Sequence, residues 1–481
     1  MTITAAWRRH WEAAPDRPVV VDAVDGSVLT GAGLEEATAA VAGRLAAAGV
    51  HPGDRVLLST APSVATVVAY VGILRLGAAV VPANTAYTSG ELAHIVGDVG
   101  PVLAILDDPA RLEGLPLGSV TVDLAPLPAY DASARPQLDT APDDALAMVA
   151  YTSGTTGAPK GAMLSHGNLL AGAQALVEAW AWTPDDRLVH TLPLFHMHGL
   201  GAGLNGSFTA GASVVLTRFD PDGVVEAASA YAATLYFGVP TMYAKLAEAG
   251  RRDGLRGLRL LVSGSAPLDP LLFERIAAEA GQPPVERYGM TETVMLTSNA
   301  LDDRVPGCVG RALPGVHVRL GEGGAVEVNG PNVFRGYWER AEATQAAFTD
   351  DGFFRTGDIG TLDGDGRLRL VGRASELIIT GGYNVYPREV EDVLREHPSV
   401  ADVAVVGIPD PTWGETVAAF VVPSDGYDAE ALAAHAAAGL AAYKTPRTWR
   451  AVDELPRNAM GKVQRDVLRA LAISDLPPDS S

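Results

Sequence analysis

Short apolar runs that end at a glycine or a proline recur along the first two thirds of the sequence. The runs "GASVVLT", "ATLYFGVP" and "LRLLVSGSAPL" are rich in Val, Leu and Tyr. Continuous runs of this kind are typical of strands that are buried inside a parallel sheet. Helical patterns separate them, including "LEEATAAVAGRLAAAG" and "DPLLFERIAAEAG". The alternation predicts an α/β fold in which helices lie between buried strands.

The pattern changes after Gly321, where turns rich in glycine become frequent. "GGAVEVNGPNVFRGYW" and "DGDGRLRLVGR" read as hairpins. Beyond them, two helical and two strand patterns indicate a small unit with its own core, namely "YPREVEDVLREHP", "AEALAAHAAAGLAAYK", "VADVAVVGIPD" and "TVAAFVVPS". The sequence thus predicts an α/β protein with a large multi-sheet N-terminal domain, residues 1–374, and a small, mobile α/β C-terminal lid, residues 375–481.

Composition restricts the class of protein. The chain has 481 residues, of which 48% are hydrophobic, and a formal net charge of −21. A strongly acidic chain is a poor nucleic-acid binder, because contacts to phosphate need clustered Lys and Arg. The single cysteine, Cys308, excludes an intramolecular disulfide and a multi-cysteine metal site, and we interpret it as a packed small side chain. These features predict an enzyme with small-molecule ligands, no nucleic acid and no obligatory protein partner.

Two stretches bear on membranes and on targeting. Residues 1–20 contain several charges and have no apolar signal core. The stretch "STAPSVATVVAYVGIL", residues 59–74, is short for a membrane span and carries hydroxyls and a proline. We predict that it is a buried helix leading into a strand at "GAAVVPAN". The expected protein is cytoplasmic and does not bind a membrane.

The stretch "YTSGTTGAPKG", residues 151–161, combines hydroxyl side chains, glycines and one lysine. Glycines let a backbone approach a ligand closely, and successive N–H groups with hydroxyls can bind an anion. The spacing is not that of a Walker A loop, because Gly154 and Gly157 are three apart and Lys160 follows three later. By itself the stretch is either a phosphate-binding loop or a mobile polar turn.

Six separated motifs decide between these readings, since "YTSGTTGAPKG", "SGSAPL", "ERYGMTET", "RTGDIG", "GRASELIITGGYNVYP" and "NAMGK" occur in that order. Together they resemble the adenylate-forming superfamily of acyl-CoA synthetases, luciferases and peptide-synthetase adenylation domains, and the resemblance runs from about Asp16 to Leu471. It implies that ATP activates a carboxylic acid with release of pyrophosphate, and that the acyl group then passes from AMP to a thiol. ATP, Mg²⁺ and coenzyme A are the implied cofactors.

The resemblance assigns most of these motifs to the nucleotide. Thr291 would donate to the α-phosphate, Glu292 would provide an oxygen ligand for Mg²⁺, and Asp358 would accept from both ribose hydroxyls. Taken alone, Glu292 also reads as a solvated carboxylate at a helix start, and Asp358 as an Asx-turn residue. The residues predicted to bind ATP or AMP are Thr152, Ser153, Gly154, Thr155, Thr156, Gly157, Lys160, Ser265, Ala266, Pro267, Glu286, Tyr288, Gly289, Met290, Thr291, Asp358 and Arg373.

The C-terminal motifs would serve two successive steps. By resemblance, Lys462 bridges the acid's carboxylate and the α-phosphate, where a fixed cation stabilises the charge that develops. Ser375 stands at the expected hinge, where family members usually carry Asp or Lys. The loop that would admit coenzyme A at the thioester stage comprises Thr380, Gly381, Gly382 and Tyr383.

The acid-binding residues carry the most specific expectation. "ERYGMTETVMLTSN" and the following "DDRVPGCVGRALPG" resemble malonyl-CoA synthetases more closely than fatty-acid or acetate enzymes. An acyl pocket ordinarily has apolar walls, so a second carboxylate needs a partner there, and the guanidinium of Arg287 suits both of its oxygens. His196 would add a hydrogen bond, and Met197 and Met295 would shape space for an α-methyl group. We expect malonate or methylmalonate; the structural alternative is a surface pair between Arg287 and Glu286.

Several other functions stay open. Within the superfamily they are a CoA synthetase for a short-chain monocarboxylic acid, a free-standing amino-acid or acyl adenylation enzyme, and a luciferase-like oxygenase. "LVSGSAPL" lacks the Asp expected to hold an α-ammonium group. Outside the superfamily, a P-loop NTPase has different glycine spacing, and Lys462 with Glu292 argues against an inactive nucleotide binder. His196 and His198 are spaced for a metal, but no third ligand is evident.

Overall fold

The fold divides into two units in a computed structural model, which describes residues 1–124, 127, 136–152, 159–458 and 462–474 apart from the side chains of 252 and 253. Unit 1 comprises Met1–Val318, Val328–Phe354 and Gly364–Leu368. Unit 2 comprises Arg319–Glu327, Arg355–Asp363 and Arg369–Ser481. The domain boundary after residue 374 stays a prediction. The mixed α/β class, with a large multi-sheet part and a smaller C-terminal part, is confirmed.

Helices and strands alternate through most of unit 1. The helices are α1 (Ile3–Ala13), α2 (Gly31–Ala47), α3 (Val64–Leu76), α4 (Ser89–Val99), α5 (His166–Ala179), α6 (Asn205–Ala210), α7 (Pro221–Ala230), α8 (Pro240–Glu248), α9 (Pro270–Ala280), α10 (Ala341–Ala347), α11 (Pro387–Arg395), α12 (Ala429–Gly439) and α13 (Arg465–Ser474). The strands are β1 (Pro18–Asp22), β2 (Val28–Thr30), β3 (Arg55–Ser59), β4 (Ala79–Pro82), β5 (Leu103–Leu106), β6 (Ser119–Thr121), β7 (Leu146–Thr152), β8 (Lys160–Ser165), β9 (Arg187–His190), β10 (Ser213–Leu216), β11 (Leu235–Gly238), β12 (Leu260–Ser263), β13 (Val285–Tyr288), β14 (Thr297–Ser298), β15 (Arg311–Ala312), β16 (His317–Leu320), β17 (Ala325–Asn329), β18 (Phe354–Leu362), β19 (Leu368–Arg373), β20 (Ile378–Thr380), β21 (Tyr383–Val385), β22 (Val400–Asp410), β23 (Gly414–Pro423) and β24 (Thr448–Ala451).

Two sheets carry unit 1, and the predicted buried strands lie inside one of them. That sheet has nine strands in the order β15-β14-β13-β12-β11-β9-β10-β1-β2, and the neighbours from β13 to β1 are parallel. The other has six strands in the order β6-β5-β3-β4-β7-β8. The three apolar runs became β10, β11 and β12, in which every residue is buried. Parallel strands covered on both faces need this uninterrupted apolar character.

The apolar stretch at residues 59–74 forms the predicted buried helix. Ser63 caps α3 by accepting the N–H of Thr66, and Gly77 ends the helix with a φ of +83°. All helix residues from Thr66 to Leu76 are buried, and the strand β4 follows. No helix in the described ranges is both long and apolar enough to cross a membrane.

One of the two predicted hairpins is wrong. "DGDGRLRLVGR" forms the turn and second strand of the pair β18-β19, as expected. In "GGAVEVNGPNVFRGYW" only β17 is a strand, and its neighbours in the sheet are β16 and β18. Pro331 has no N–H for a sheet ladder. The Asn332 side chain instead donates to the carbonyl oxygens of Thr293 and Met295, at 2.8 and 2.7 Å, so this segment packs on a distant turn of unit 1.

The core of unit 2 has two layers around one sheet. Its strands pair in the order β21-β20-β23-β22, and β24 pairs with β23. Side chains alternate across β22, so Val403 and Val405 pack with α11 and α12, whereas Ala404 and Val406 pack with Leu468 of α13. The predicted helices and strands of the C-terminal segment are therefore confirmed.

Two buried histidines should make stability depend on pH. His166 and His190 are fully buried, and burial lowers the pKa of each to about 4. A folded pKa below the unfolded value of about 6.5 means that the stabilisation is present above that pH and falls as pH falls toward 4. At about pH 5 the loss is roughly 2 kcal/mol for each histidine.

Urea unfolding at neutral pH and at about pH 5 measures this effect. His190→Gln should reduce the pH-dependent loss by roughly 2 kcal/mol relative to wild type. His317→Gln is the control because His317 is exposed, and it should leave the loss unchanged. A wild-type pH dependence that persists undiminished in His166→Gln and His190→Gln would contradict the expectation.

Candidate functional site

A buried arginine lies at the edge of the nine-stranded sheet where β11, β12 and β13 end. Arg287 is only 6% exposed, and its Nε and Nη2 atoms are buried with no hydrogen-bond partner among the described residues. Burial lowers the pKa of Arg287 to about 9. The guanidinium therefore keeps its charge near neutral pH in a setting that leaves it short of acceptors. In open α/β sheets, ligands bind outside the carboxyl ends of the strands.

The neighbouring carboxylate does not neutralise this arginine at the surface. Glu286 is also buried, and its Oε1 accepts the N–H of Gly307 at 2.7 Å. Successive side chains of a strand point to opposite faces of the sheet. The surface pair between Arg287 and Glu286 is therefore wrong.

The end of β12 is shaped around the guanidinium. A Cβ atom at Gly264 would lie 2.5 Å from Arg287 Cζ, so only glycine leaves room for the arginine in this position. The next residue, Ser265, has a φ of +70°, a strained value for serine, and its Oγ lies 3.2 Å from His198 Nδ1. Strained residues of this kind concentrate at functional sites. The sequence indicated Ser265 but gave no reason to connect Gly264 with Arg287.

His198 faces the same region. Its ring stacks on Phe237 with centroids 6.2 Å apart, and Nε2 is buried without a hydrogen-bond partner in the described part of the chain. Burial, and then the charge of Arg287, hold the pKa of His198 well below its usual value, so the ring is neutral. Sequence reasoning considered His198 only as a metal ligand. Its position two residues after His196, on the loop that follows β9, was the signal that it shares this edge of the sheet.

The other predicted acid-site residues occupy the same loop and the neighbouring turn. His196 is half-buried, and its Nδ1 accepts the N–H of His198 at 3.2 Å. Met197 and Met295 are buried. A Cβ atom at Gly201 would lie 2.6 Å from Met197 Cε and 3.1 Å from Val294 Cγ1, which shows how closely this loop packs on the turn after β13. Among the described residues, no group of three or more His, Cys, Asp or Glu could hold a metal.

Glu292 lies in a turn between β13 and β14 and not at a helix start. Its side chain is 5% exposed, so the reading as a solvated carboxylate is wrong. The Tyr337 hydroxyl donates to Glu292 Oε1 at 3.0 Å, and the Phe334 N–H donates to the Glu292 carbonyl at 2.7 Å. A buried carboxylate with one oxygen held in this way is a chemically suitable ligand for Mg²⁺, which is commonly bound through one or two carboxylates and substrate phosphates.

The rest of the "ERYGMTET" turn is tightly packed. A Cβ atom at Gly289 would lie 2.5 Å from the Val294 carbonyl oxygen, which explains the glycine. The Met290 N–H donates to Thr293 Oγ1 at 3.4 Å, and Thr291 is half-buried beside Glu292. Tyr288 is buried at the end of β13. Of the other predicted adenine residues, Ala266 and Pro267 are exposed in the loop after β12.

The glycine-rich stretch connects β7 to β8. Thr152 pairs with Lys160 across the two strands, and its hydroxyl lies 3.4 Å from the Lys160 carbonyl oxygen. The Tyr151 hydroxyl donates to Asp98 at 2.7 Å, which fixes the end of β7. The Lys160 ammonium lies 5.4 Å from the centre of the Tyr337 ring. The predicted phosphate-binding residues Ser153, Gly154, Thr155, Thr156 and Gly157 lie outside the described residues.

Unit 2 brings the two predicted ribose residues together. Arg373 Nε lies 3.0 Å from Asp358 Oδ1, and the Asp358 side chain is 7% exposed. The Asp358 N–H donates to Thr356 Oγ1 at 3.1 Å. Ser375 is exposed in the short turn Ala374–Glu376, two residues beyond Arg373.

An arginine that sequence reasoning missed holds the segment carrying Lys462. Lys462 is exposed, and its N–H donates to Asn458 Oδ1 at 3.0 Å. Three residues later, Arg465 pairs with the buried carboxylate of Glu391 at 2.6 Å and with Glu376 at 3.7 Å. Burial disfavours the Glu391 carboxylate, but the charges of Arg465 and Arg395 outweigh it and keep its pKa below the usual value. The contacts of Arg465 join α13 to α11 and to the turn that contains Ser375.

The predicted thioester-stage loop is the turn of the β20-β21 hairpin. Gly381 and Gly382 have φ values of +58° and +83°, which side chains rarely adopt. Tyr383 is 58% exposed and stacks on Tyr443 with ring centroids 4.7 Å apart. Beside the loop, the Arg447 guanidinium lies 4.2 Å from the centre of the half-buried Trp413 ring. This surface of unit 2 combines aromatic faces with a cation, a combination suited to a nucleotide.

Comparison with known proteins places these features in one family. Residues 7–338 match the family described as AMP-binding enzyme, and residues 389–462 match the AMP-binding enzyme C-terminal domain. The crystal structure of ATP-bound MatB from Rhodopseudomonas palustris superposes with a TM-score of 0.91 at 39% identity, covering 98% of this chain and 99% of that one.

Two curated relatives differ in the acid that their names give. The mitochondrial malonate–CoA ligase ACSF3 of Mus musculus is 37% identical over 86% of this chain and 81% of the relative. The feruloyl-CoA synthase of an Amycolatopsis species is also 37% identical, over 92% of this chain and 94% of the relative. The activity common to these relatives is ligation of an acid to coenzyme A, while their acids differ.

Proposed function

Because the chain belongs to the AMP-binding enzyme family and is an ATP-dependent, AMP-forming acid–CoA ligase, we propose that its acid is malonate or a 2-substituted malonate such as methylmalonate. Enzymes of this family use ATP, Mg²⁺ and coenzyme A. The observation that carries the proposal is the buried guanidinium of Arg287, with two nitrogens that have no hydrogen-bond partner among the described residues.

A second carboxylate on the substrate answers the needs of this arginine. An unpaired buried charge is costly, and a planar guanidinium can bind both oxygens of a carboxylate with two parallel hydrogen bonds. Ser265 and the neutral His198 are next to it and supply further polar contacts. The other carboxylate of the same molecule is then the one activated by ATP. Malonate is short enough that both of its ends remain near one strand edge.

The same residues disfavour the competing acids. A monocarboxylic acid of similar size leaves Arg287 without an acceptor, and a large aromatic acid needs an apolar wall where the guanidinium lies. An amino acid would bring an ammonium group toward a buried cation, and like charges repel. The identity to the feruloyl-CoA synthase does not oppose malonate, because the same identity is found to a malonate–CoA ligase.

We assign the steps of the reaction to this chain's residues as follows. In the first step, the glycine-rich stretch and Lys160 bind the phosphates that leave, Thr291 donates to the α-phosphate, and Lys462 stabilises the charge that develops as the acid attacks phosphorus. Mg²⁺, bound through Glu292 and the phosphates, neutralises phosphate charge. Asp358 and Arg373 bind the ribose. In the second step, the hairpin at residues 380–383 admits the pantetheine arm.

A panel of acids tests the proposal. Malonate, methylmalonate, acetate, butyrate, ferulate and a small amino acid are each incubated with ATP and coenzyme A, and acyl-CoA is detected by mass spectrometry. Acid-dependent ATP–pyrophosphate exchange is measured alongside. We expect the highest kcat/KM with malonate or methylmalonate. A preference for acetate, butyrate or ferulate would reject the proposed substrate, and ADP as the product of ATP would reject adenylation.

A bulky residue at Gly382 should separate the two steps. Gly382 has a φ of +83° and open space around its Cα, so a leucine there projects into the path proposed for pantetheine. We expect Gly382→Leu to keep pyrophosphate exchange within about twofold and to lower acyl-CoA formation by about 100-fold. Gly426→Leu is the matched control, because Gly426 has a φ of +78° and open surroundings elsewhere in unit 2. Loss of exchange in Gly382→Leu would assign the loop to the first step.

A further inference from the structure

One tyrosine contacts both groups that the proposed ATP site places around the phosphates. The Tyr337 hydroxyl donates to Glu292 Oε1 at 3.0 Å, and the face of its ring lies 5.4 Å from the Lys160 ammonium. Glu292 and Lys160 come from different parts of unit 1, the turn after β13 and the start of β8. Tyr337 is thus the residue through which the two meet.

The backbone of Tyr337 is itself held firmly. Its N–H donates to Thr344 Oγ1 at 2.9 Å, and the residue forms an antiparallel bridge with Ala162 of β8. The Trp338 N–H donates to the Gly161 carbonyl at 2.8 Å. Phe334 packs edge-on against the Tyr337 ring with centroids 4.9 Å apart. A side chain supported from both sides in this way has little freedom to rotate.

We propose that Tyr337 is a positioning residue that orients the Mg²⁺ carboxylate and the phosphate-loop lysine together. Its O–H fixes the rotation of the Glu292 carboxylate, as hydrogen bonds from outer residues commonly do for metal ligands. Its ring attracts the Lys160 ammonium and limits where that charge can go. The inference rests on the proposed function, because it takes Glu292 and Lys160 to be groups of the ATP site.

Two substitutions separate the hydroxyl from the ring. Tyr337→Phe removes the hydrogen bond to Glu292 and keeps the aromatic face, whereas Tyr337→Leu removes both. The matched control is Tyr243→Phe, since the buried Tyr243 hydroxyl donates to the Val262 carbonyl at 3.0 Å in the core of unit 1. Thermal unfolding of each variant measures the loss of stability that follows from removing a buried hydroxyl.

The direct readout is metal binding without turnover. Mn²⁺ is titrated into the protein with α,β-methylene ATP, and free Mn²⁺ is measured by electron paramagnetic resonance. We expect about tenfold weaker Mn²⁺ binding in Tyr337→Phe and no change in Tyr243→Phe. Tyr337→Leu should in addition weaken nucleotide binding by a few-fold. In pyrophosphate exchange, the Mg²⁺ concentration for half-maximal rate should rise in Tyr337→Phe while the rate at saturating Mg²⁺ is largely retained.

Glu292→Gln distinguishes failure of this inference from failure of the proposed function. If Glu292→Gln loses Mn²⁺ and Tyr337→Phe binds it as tightly as wild type, Tyr337 does not position the metal ligand and the inference is overturned. If Glu292→Gln binds Mn²⁺ as tightly as wild type, the metal lies elsewhere, so the proposed role of Glu292 fails and this inference with it.

Discussion

Replacing Arg287 with alanine is expected to lower kcat/KM for malonate by about two to three and a half orders of magnitude and to change that for butyrate little. Removing one partner of a buried charge pair costs roughly 3–5 kcal/mol, and each 1.36 kcal/mol is about tenfold in rate. The loss is specific to malonate because butyrate has no second carboxylate for the guanidinium. Steady-state kinetics with both acids, at saturating ATP and coenzyme A, provides the measurement.

Two further variants sharpen this test. Arg287→Lys keeps a charge but loses the planar fork, so it should recover only part of the malonate activity. Arg304→Ala is the matched control: Arg304 is half-buried and donates to the Leu301 carbonyl at 3.0 Å, so its loss should lower stability and leave the ratio of malonate to butyrate unchanged. If both acids suffer equally in Arg287→Ala, the arginine is structural and a second carboxylate must be bound elsewhere.

The second large effect is expected from Lys462→Ala, which should slow adenylation by about 10²–10³-fold and thioester formation far less. A fixed cation at the site of attack on phosphorus stabilises charge that exists only in that transition state, and removal of one such group typically has this effect. The thioester step does not involve attack at phosphorus, so the lysine is not required there.

Half-reactions measure this difference directly. Pyrophosphate exchange with acid and ATP reports the first step, and preformed acyl-AMP with coenzyme A reports the second. Lys245→Ala, which removes an exposed lysine on α8, is the control and should affect neither. Equal losses in both half-reactions would show that Lys462 has another role.

The fold was predictable wherever local chemistry decides the structure. The apolar runs of β10, β11 and β12 and the uniformly buried α3 follow from composition and end signals alone. The failed hairpin shows the limit. Residues after β17 pack on a turn nearly 40 positions earlier through Asn332, with separations of 39 and 37 residues to Thr293 and Met295. No short-range pattern encodes such a contact.

The candidate site divides in the same way. Residue types in motifs predicted Arg287, Glu292 and Lys462 as chemically important positions. The partners that make their environments were not predictable, because each comes from a distant part of the chain. Tyr337 is 45 residues from Glu292, and Arg465 is 74 residues from Glu391. Whether Arg287 is buried or exposed depends on tertiary packing, which the motif does not contain.

The contact between Gly264 and Arg287 sets an order in which substrate preference can change. Any side chain at position 264 would begin 2.5 Å from the guanidinium carbon, so substitution of the glycine while the arginine is present forces the arginine out of place. Loss of the arginine first removes that conflict, and the space it occupied can then accept a new wall for a different acid. The two positions are therefore epistatic: a mutational path toward another acid is open through residue 287 and closed through residue 264.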